Sequence, residues 1–201
     1  MPLVKHILVF SLGNPGAFAK TWHSAGHIVL GGLQRQLSDQ PSFSKLRIGK
    51  ENAAVSIGSR YSLLQSPTYM NTSGPWVARA YKDHLAQRQL APSEVAVVIV
   101  HDDLEEGLGV VKTRDWARSH RGHNGIKSVN ASLRANPAGK WARISVGIGR
   151  PGARDKEAVS DFVLNKVDGK GMGVLEGSAT RGVLDALRQL EEQWDKEARE
   201  S

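Results

Sequence analysis

The run Val95-Ala-Val-Val-Ile-Val100 constrains this chain more than any other stretch. It holds six apolar residues, five of them β-branched, and no polar position to face water. A strand solvated on one face alternates polar and apolar residues, whereas a strand covered on both faces reads as an unbroken apolar run. The segment therefore predicts a central strand with helices above and below it. Residues 6–12 (HILVFSL) form a second run of this kind. Shorter strands are predicted at 53–57, 61–65, 110–113 and 144–148.

Helical patterns separate these strands. Ala25, Ile28, Val29, Leu33 and Leu37 recur at helical spacing behind Ser24, a residue type that caps helices. Ser73-Gly-Pro75 opens a helix to about residue 88, with Pro75 in the first turn, where a missing N–H does no harm. A shorter helix is predicted at 125–133. A last one runs from about 174 to 198, with Val183, Leu187, Leu190 and Trp194 on one stripe. Residues 38–44 read as a polar connection. Strands alternating with helices define an α/β protein whose central, twisted, mixed but mostly parallel sheet is flanked by helices on both faces. No repeat, low-complexity tract or linker divides the 201 residues, which read as one domain with its core at about 5–168.

Composition narrows the chemistry. The chain has no cysteine, which removes disulfides, thiolate nucleophiles and Cys-ligated zinc together. No apolar run is long enough to span a membrane, and no secretory leader opens the sequence. An intracellular protein is expected, in the cytoplasm or a mitochondrion, so the glycosylation-type triplets at Asn71 and Asn130 carry no meaning. Net charge is +7 with a pI near 9.8. Its distribution is uneven: from Gly107 to Lys156 there are eleven Lys or Arg, Arg154 among them, against only Asp115 and Asp155. From Gly171 onward the tail is net acidic. A basic field of this kind fits either a solvated face or a polyanionic partner, nucleic acid first.

Ligands of open α/β sheets bind beyond the carboxyl ends of the strands. The first apolar strand leads to Asn14 with His23 beyond it, and the run at 95–100 leads directly to His101-Asp102-Asp103. Asn71 follows a strand-to-helix crossing, and the cluster Ser119-His-Arg-Gly-His-Asn-Gly125 precedes a helix. Together these segments supply a base, a carboxylate to orient it and amides to polarise a carbonyl, the parts for general-base hydrolysis. Each also has a plain structural reading. His23 suits a helix start, Asn14 a turn, and Asp102 and Asp103 the end of a strand; His120 and His123 read as solvated residues on a phosphate-binding side.

Other sites fare worse. Gly147-Ile-Gly-Arg-Pro-Gly152 satisfies G-x-G-x-x-G, but Pro151 interrupts it and too little chain follows for a nucleotide fold. His23 with His27, and His120 with His123, have metal-ligand spacings, yet no H-E-x-x-H exists. No G-x-S-x-G marks a serine hydrolase.

The segments SLGNPG, TWHSAGH, PTYMNTSG, VHDDLEEGLGVVK, GHNGIKSV, VGIGRPG and DFVLNK occur in the order seen in bacterial-type peptidyl-tRNA hydrolases, which the chain resembles over about residues 8–166. The resemblance implies hydrolysis of the ester between a peptide and the 3′ end of tRNA by a monomer that needs neither metal nor cofactor. It places the base at His23 and its carboxylate at Asp102, substrate-holding amides at Asn71 and Asn124, and recognition of the blocked amino end at Asn14. Phe18 and Tyr69 fall on aromatic substrate contacts. Lys112, Arg114, Arg118, Arg121 and Lys127 are candidates for tRNA phosphates, with Lys112 and Arg114 expected to point apart on their strand.

The chain departs from the family pattern at several points. Trp22 replaces a common Arg, Ser24 an Asn and Ser145 a frequent Arg. The loop at 14–23 is one residue shorter, and the segment before Gly122 lacks the usual glycine run and is one residue longer. A non-catalytic RNA-binding module on the same fold, or a metal-dependent hydrolase, are the alternatives.

Overall fold

The computed structural model describes residues 3–134, 139–152 and 155–200; Arg154 of the basic segment lies outside them. Seven strands form one sheet: β1 (His6–Ser11), β2 (Ser44–Ile48), β3 (Glu51–Ile57), β4 (Tyr61–Gln65), β5 (Val95–Asp103), β6 (Val111–Asp115) and β7 (Lys140–Gly147). Their order is β2-β3-β4-β1-β5-β7-β6. The four inner strands β4, β1, β5 and β7 run parallel, while β2, β3 and β6 are added antiparallel at the two sides. This is the expected mixed sheet with a parallel centre.

Every residue of β5 is buried, as its unbroken apolar run requires. Side chains alternate between two cores. Ile7, Val9, Val98 and Val100 face α1 (Ala25–Gln36) and α6 (Thr180–Arg199); Leu8, Phe10, Val97 and Ile99 face α2 (Ser73–Arg88) and α3 (Asn124–Ser132). No helix among the described residues is long and apolar enough to cross a membrane.

Several elements differ from the sequence reading. β2 has no counterpart in the sequence pattern: it is an edge strand in which only Leu46 and Ile48 are apolar, too short an alternation to stand out. β5 continues past Val100 through His101, Asp102 and Asp103, because these polar residues still find ladder partners on β7. β7 begins at Lys140, not at 144, since Arg143 and Lys140 break the apolar run without breaking the pairing. The segment after β7 forms a helix, α4 (Lys156–Leu164), capped by the Asp155 carboxylate accepting from the Ala158 N–H. The last helix is divided: α5 (Gly169–Val174) passes through a π-type turn at Leu175–Ala179 into α6. Ser24 precedes α1 without capping it, because its hydroxyl is engaged elsewhere.

Candidate active site

β1 delivers the chain to a turn at Gly13-Asn14. A Cβ at Gly13 would lie 2.4 Å from the His27 ring, so only glycine lets the backbone pass here. His27 itself is buried below the turn. Its Nε2–H donates to the Ser66 carbonyl and its Nδ1 accepts from the Ser11 hydroxyl, so it makes no pair with His23. Ser24 holds the turn from the other side: its Oγ accepts the Asn14 N–H at 2.9 Å and donates to the Phe18 carbonyl at 2.8 Å. The Asn14 amide oxygen in turn accepts the Met70 N–H at 3.0 Å. A backbone N–H is an unambiguous donor, so this bond fixes the amide orientation and leaves Nδ2 as the end able to donate.

His23 sits in a 3-10 turn, Trp22–Ser24, that leads into α1. Its Nδ1 lies 2.9 and 3.1 Å from the two carboxylate oxygens of Asp102 at the end of β5. Nδ1–H therefore donates to Asp102, and Nε2 keeps a lone pair. Burial on its own would lower the His23 pKa, but the charge and hydrogen bond of Asp102 outweigh it and leave the imidazole more basic than the ordinary 6.5. Asp102 is 2% exposed. Burial would raise its pKa, yet the imidazoles of His23 and His123 hold it ionised well below the usual carboxylate range.

The structure overturns the plain structural reading of His123 as a solvated residue. Its Nε2 lies 2.9 Å from Asp102 Oδ1, and its Nδ1 accepts the Ile126 N–H at 3.2 Å as the N-cap of α3. The proton therefore resides on Nε2 and points at the carboxylate. His23, Asp102 and His123 are also the one group among the described residues with metal-ligand proximity. The donor set speaks for protons: a metal at His123 Nε2 would move the ring proton to Nδ1, against the Ile126 N–H. His120 does not join His123; it accepts the Gly122 N–H within its own loop. His101 is buried against the His123 ring, 4.9 Å between centroids, and burial drops its pKa to about 3.

Asn14, His23, Tyr69, Asn71 and Asn124 line one groove, closed on its far side by Val163 and Leu164 of α4. Asn71 lies in a 3-10 turn, Met70–Thr72, ahead of α2, and Asn124 opens α3. Phe18 is not among the groove-lining residues; it stands on the neighbouring turn at Gly16–Phe18. Trp22, at the position of a common Arg, stacks on Phe162 of α4 with 5.8 Å between centroids. The same turn is zipped to the chain after α4 by a bridge between Thr21 and Lys166.

A second cavity opens beside Asp102, between β5 and the loop at 115–123. Arg114 reaches both Asp103 (3.3 Å) and Glu106, and Arg121 stands 3.6 Å from the same two carboxylates. Lys112 also pairs with Glu106, at 2.7 Å. Lys112 and Arg114 thus share a face, as residues two apart on a pleated strand must, contrary to the expectation that they point apart. Arg118 and Lys127 are exposed and form no ion pair among the described residues.

The chain matches the family model described as peptidyl-tRNA hydrolase over residues 8–201. It is 36% identical over 187 residues to a probable peptidyl-tRNA hydrolase of Schizosaccharomyces pombe, covering 92% of this chain and 82% of that protein. It is 36% identical over 160 residues to the peptidyl-tRNA hydrolase of Histophilus somni, covering 79% and 77%. The crystal structure of peptidyl-tRNA hydrolase from Acinetobacter baumannii superposes with a TM-score of 0.69 at 26% identity, over 97% of both chains.

Proposed function

Because the chain belongs to the peptidyl-tRNA hydrolase family, we propose that it cleaves the ester between a peptide and the 3′-terminal ribose of tRNA through His23 as general base. The observation that carries the assignment is the pairing of Asp102 with His23, which lines a groove that also holds three asparagines. Asp102 fixes the proton on Nδ1, so Nε2 removes a proton from water while the resulting hydroxide attacks the ester carbonyl. Charge then collects on the carbonyl oxygen. The Asn14 Nδ2–H and the amides of Asn71 and Asn124 are assigned as its donors, because all three side chains line the groove and Asn14 keeps Nδ2 as its donor end. The imidazolium returns its proton to the departing ribose oxygen. An alkoxide of this kind leaves readily enough that no covalent nucleophile is required.

The peptide side of the groove is assigned to Tyr69, Val163 and Leu164. Of the five sequence candidates, the exposed Arg118 and Lys127 carry no ion pair among the described residues and are assigned to phosphates of the acceptor stem, while Lys112, paired with Glu106, would reach phosphate only by exchange. Arg114 and Arg121 are already matched by Asp103 and Glu106, and would engage phosphate only by exchange. The enzyme is proposed to act as a monomer serving translation in the cytoplasm or a mitochondrion.

The test is turnover of an N-blocked aminoacyl-tRNA with a labelled acyl group. The wild-type protein is expected to release the label, and His23→Ala to lose 100-fold or more of the rate, in the range of ~10²–10⁴ for a lost general base, while still binding tRNA. Unchanged turnover in His23→Ala would eliminate this base, and tRNA binding without any hydrolysis by the wild-type protein would leave a binding module.

A further inference from the structure

Arg143 stands out among the basic residues because it is buried in the sheet. It lies on β7 and is 2% exposed. No carboxylate lies within ion-pair distance of it among the described residues, and its Nε–H has no partner. Its cross-strand neighbour is another cation, Arg114. Burial, and after it the charge of Arg114, lower its pKa, and the more distant carboxylates of Asp103 and Asp115 only partly offset them. A buried, like-charged position of this kind is unfavourable, and an apolar side chain of similar size would fit the strand better. What the guanidinium does instead is donate from Nη2 to two backbone carbonyls, Asp115 at 3.1 Å and Arg118 at 2.6 Å.

Both carbonyls belong to the start of the 115–123 loop, where the Arg118 N–H also closes a turn onto Asp115. The loop then climbs to Arg121 and Gly122, both with positive φ (46° and 83°), and delivers His123 and Asn124 to the site. Positive φ at a non-glycine residue persists only where the surroundings over-determine it. Here the chain is held at both ends: Arg143 grips it below, and His123 above is tied to Asp102 and Ile126. Trp116, against Trp141 with 5.0 Å between centroids, seats the same turn laterally.

We infer that Arg143 is a positioning residue for hydrolysis: by gripping the Asp115 and Arg118 carbonyls it sets the height of the loop that brings His123 to Asp102 and Asn124 to the groove. The kinetic part of this inference rests on the hydrolase reading above; the structural part does not. Releasing the grip lets the loop relax at Arg121 and draws the His123 Nε2–H away from the carboxylate. Asp102 then loses one of its two imidazole donors and holds the proton on His23 more strongly.

The test is Arg143→Met, with Arg143→Gln as a second variant that has no charge and is too short to span both carbonyls. Each is expected to lower kcat about tenfold with KM changed no more than about twofold, and to move the low-pH limb of kcat to higher pH. Besides Asp102, the titratable and charged groups around His23 are the His123 ring at 5.0 Å between centroids with His101 behind it, Lys156 in the same groove, and Asp103, Arg114 and Arg121 in the adjoining cavity. Imidazole nitrogen NMR of the free protein should show His123 losing its fixed Nε2–H tautomer. Arg143→Lys, which still reaches a carbonyl, should restore most of the rate and the tautomer. A folded Arg143→Met or Arg143→Gln protein with the wild-type limb and an unchanged His123 signal overturns the inference, whatever its stability. A wild-type protein without hydrolytic activity would sink the hydrolase reading alone, since the His123 signal is read without substrate.

Discussion

His123 donates its Nε2–H to Asp102 across 2.9 Å while its Nδ1 accepts the third amide of α3. One ring thus caps a helix and braces the carboxylate that orients the base. The two duties are separable. His123→Asn keeps a capping acceptor but loses the bond to Asp102, and should lower kcat roughly ten- to hundredfold, as loss of a hydrogen bond to a charge of ~1.5–3 kcal/mol suggests, with little change in Tm. His123→Ala should show the same kinetic loss and in addition be less stable by about 1 kcal/mol for the missing cap. Kinetics and thermal melts of the two variants check this.

Replacing the carboxylate acts in the other direction from freeing it. In Asp102→Asn the charge that keeps His23 basic is gone, and burial, which already opposes its ionisation, prevails. The low-pH limb of the rate profile should fall below 6.5, and kcat should drop by roughly 10²-fold or more through loss of the correct tautomer. A limb that stays in place would break the link between the two residues.

Acid should weaken the fold well before ordinary carboxylates protonate. Burial lowers the pKa of His6, His27 and His84 to about 4, and of His101 to about 3. Unfolded, each titrates near 6.5, so their stabilising contribution is complete above that value and is lost as pH falls toward 4. His23, with a raised pKa, contributes with the opposite sign but is one against four. The urea midpoint should therefore fall between about pH 7.5 and 4.5. His84→Phe, which keeps the ring stacked 4.8 Å from His6, should flatten the slope.

Two of the amides are set by how closely α2 approaches α3. A Cβ on Gly74 would lie 2.0 Å from the Ser128 carbonyl oxygen, a backbone atom that cannot yield without moving α3. The Gly74 N–H also donates to Ser128 Oγ at 2.9 Å. Gly74→Ala should cost about 1–3 kcal/mol of stability and, by separating the helices whose starts carry Asn71 and Asn124, raise KM as well. Thermal melts and steady-state kinetics read both effects.

The cations should divide by salt dependence. Arg118→Ala or Lys127→Ala is expected to reduce the slope of log affinity against log salt for tRNA by roughly one unit each. Arg114→Ala should change that slope less, because Asp103 and Glu106 already neutralise the side chain. Filter binding across a salt series distinguishes the three.

The sheet and the two halves of the site were legible because they depend on local patterns. An apolar run such as 95–100 declares itself, and His23 and Asp102 sit where such runs stop. What escaped was tertiary. Residue type and spacing in Ser-His-Arg-Gly-His-Asn-Gly do not separate the two histidines, although only His123 falls in the segment GHNGIKSV; the approach of α3 to the end of β5 makes it a brace and leaves His120 in its loop. Arg143 reads as one more basic residue until the fold buries it. α4, by contrast, carried its own signal in Asp155, a capping carboxylate three residues ahead of the amide it accepts. Ser24 shows the reverse error: a good capping residue type that the turn at Asn14 recruits instead.

The zip between Thr21 and Lys166, with Trp22 laid against Phe162, means that the groove wall comes from the last third of the chain. While a ribosome is making this protein, the nascent chain is itself esterified to a tRNA. Its groove lacks this wall until residues 162–166 have emerged from the exit tunnel, so the growing polypeptide carries His23 and Asp102 well before it has a closed groove in which to sever such a linkage, its own included.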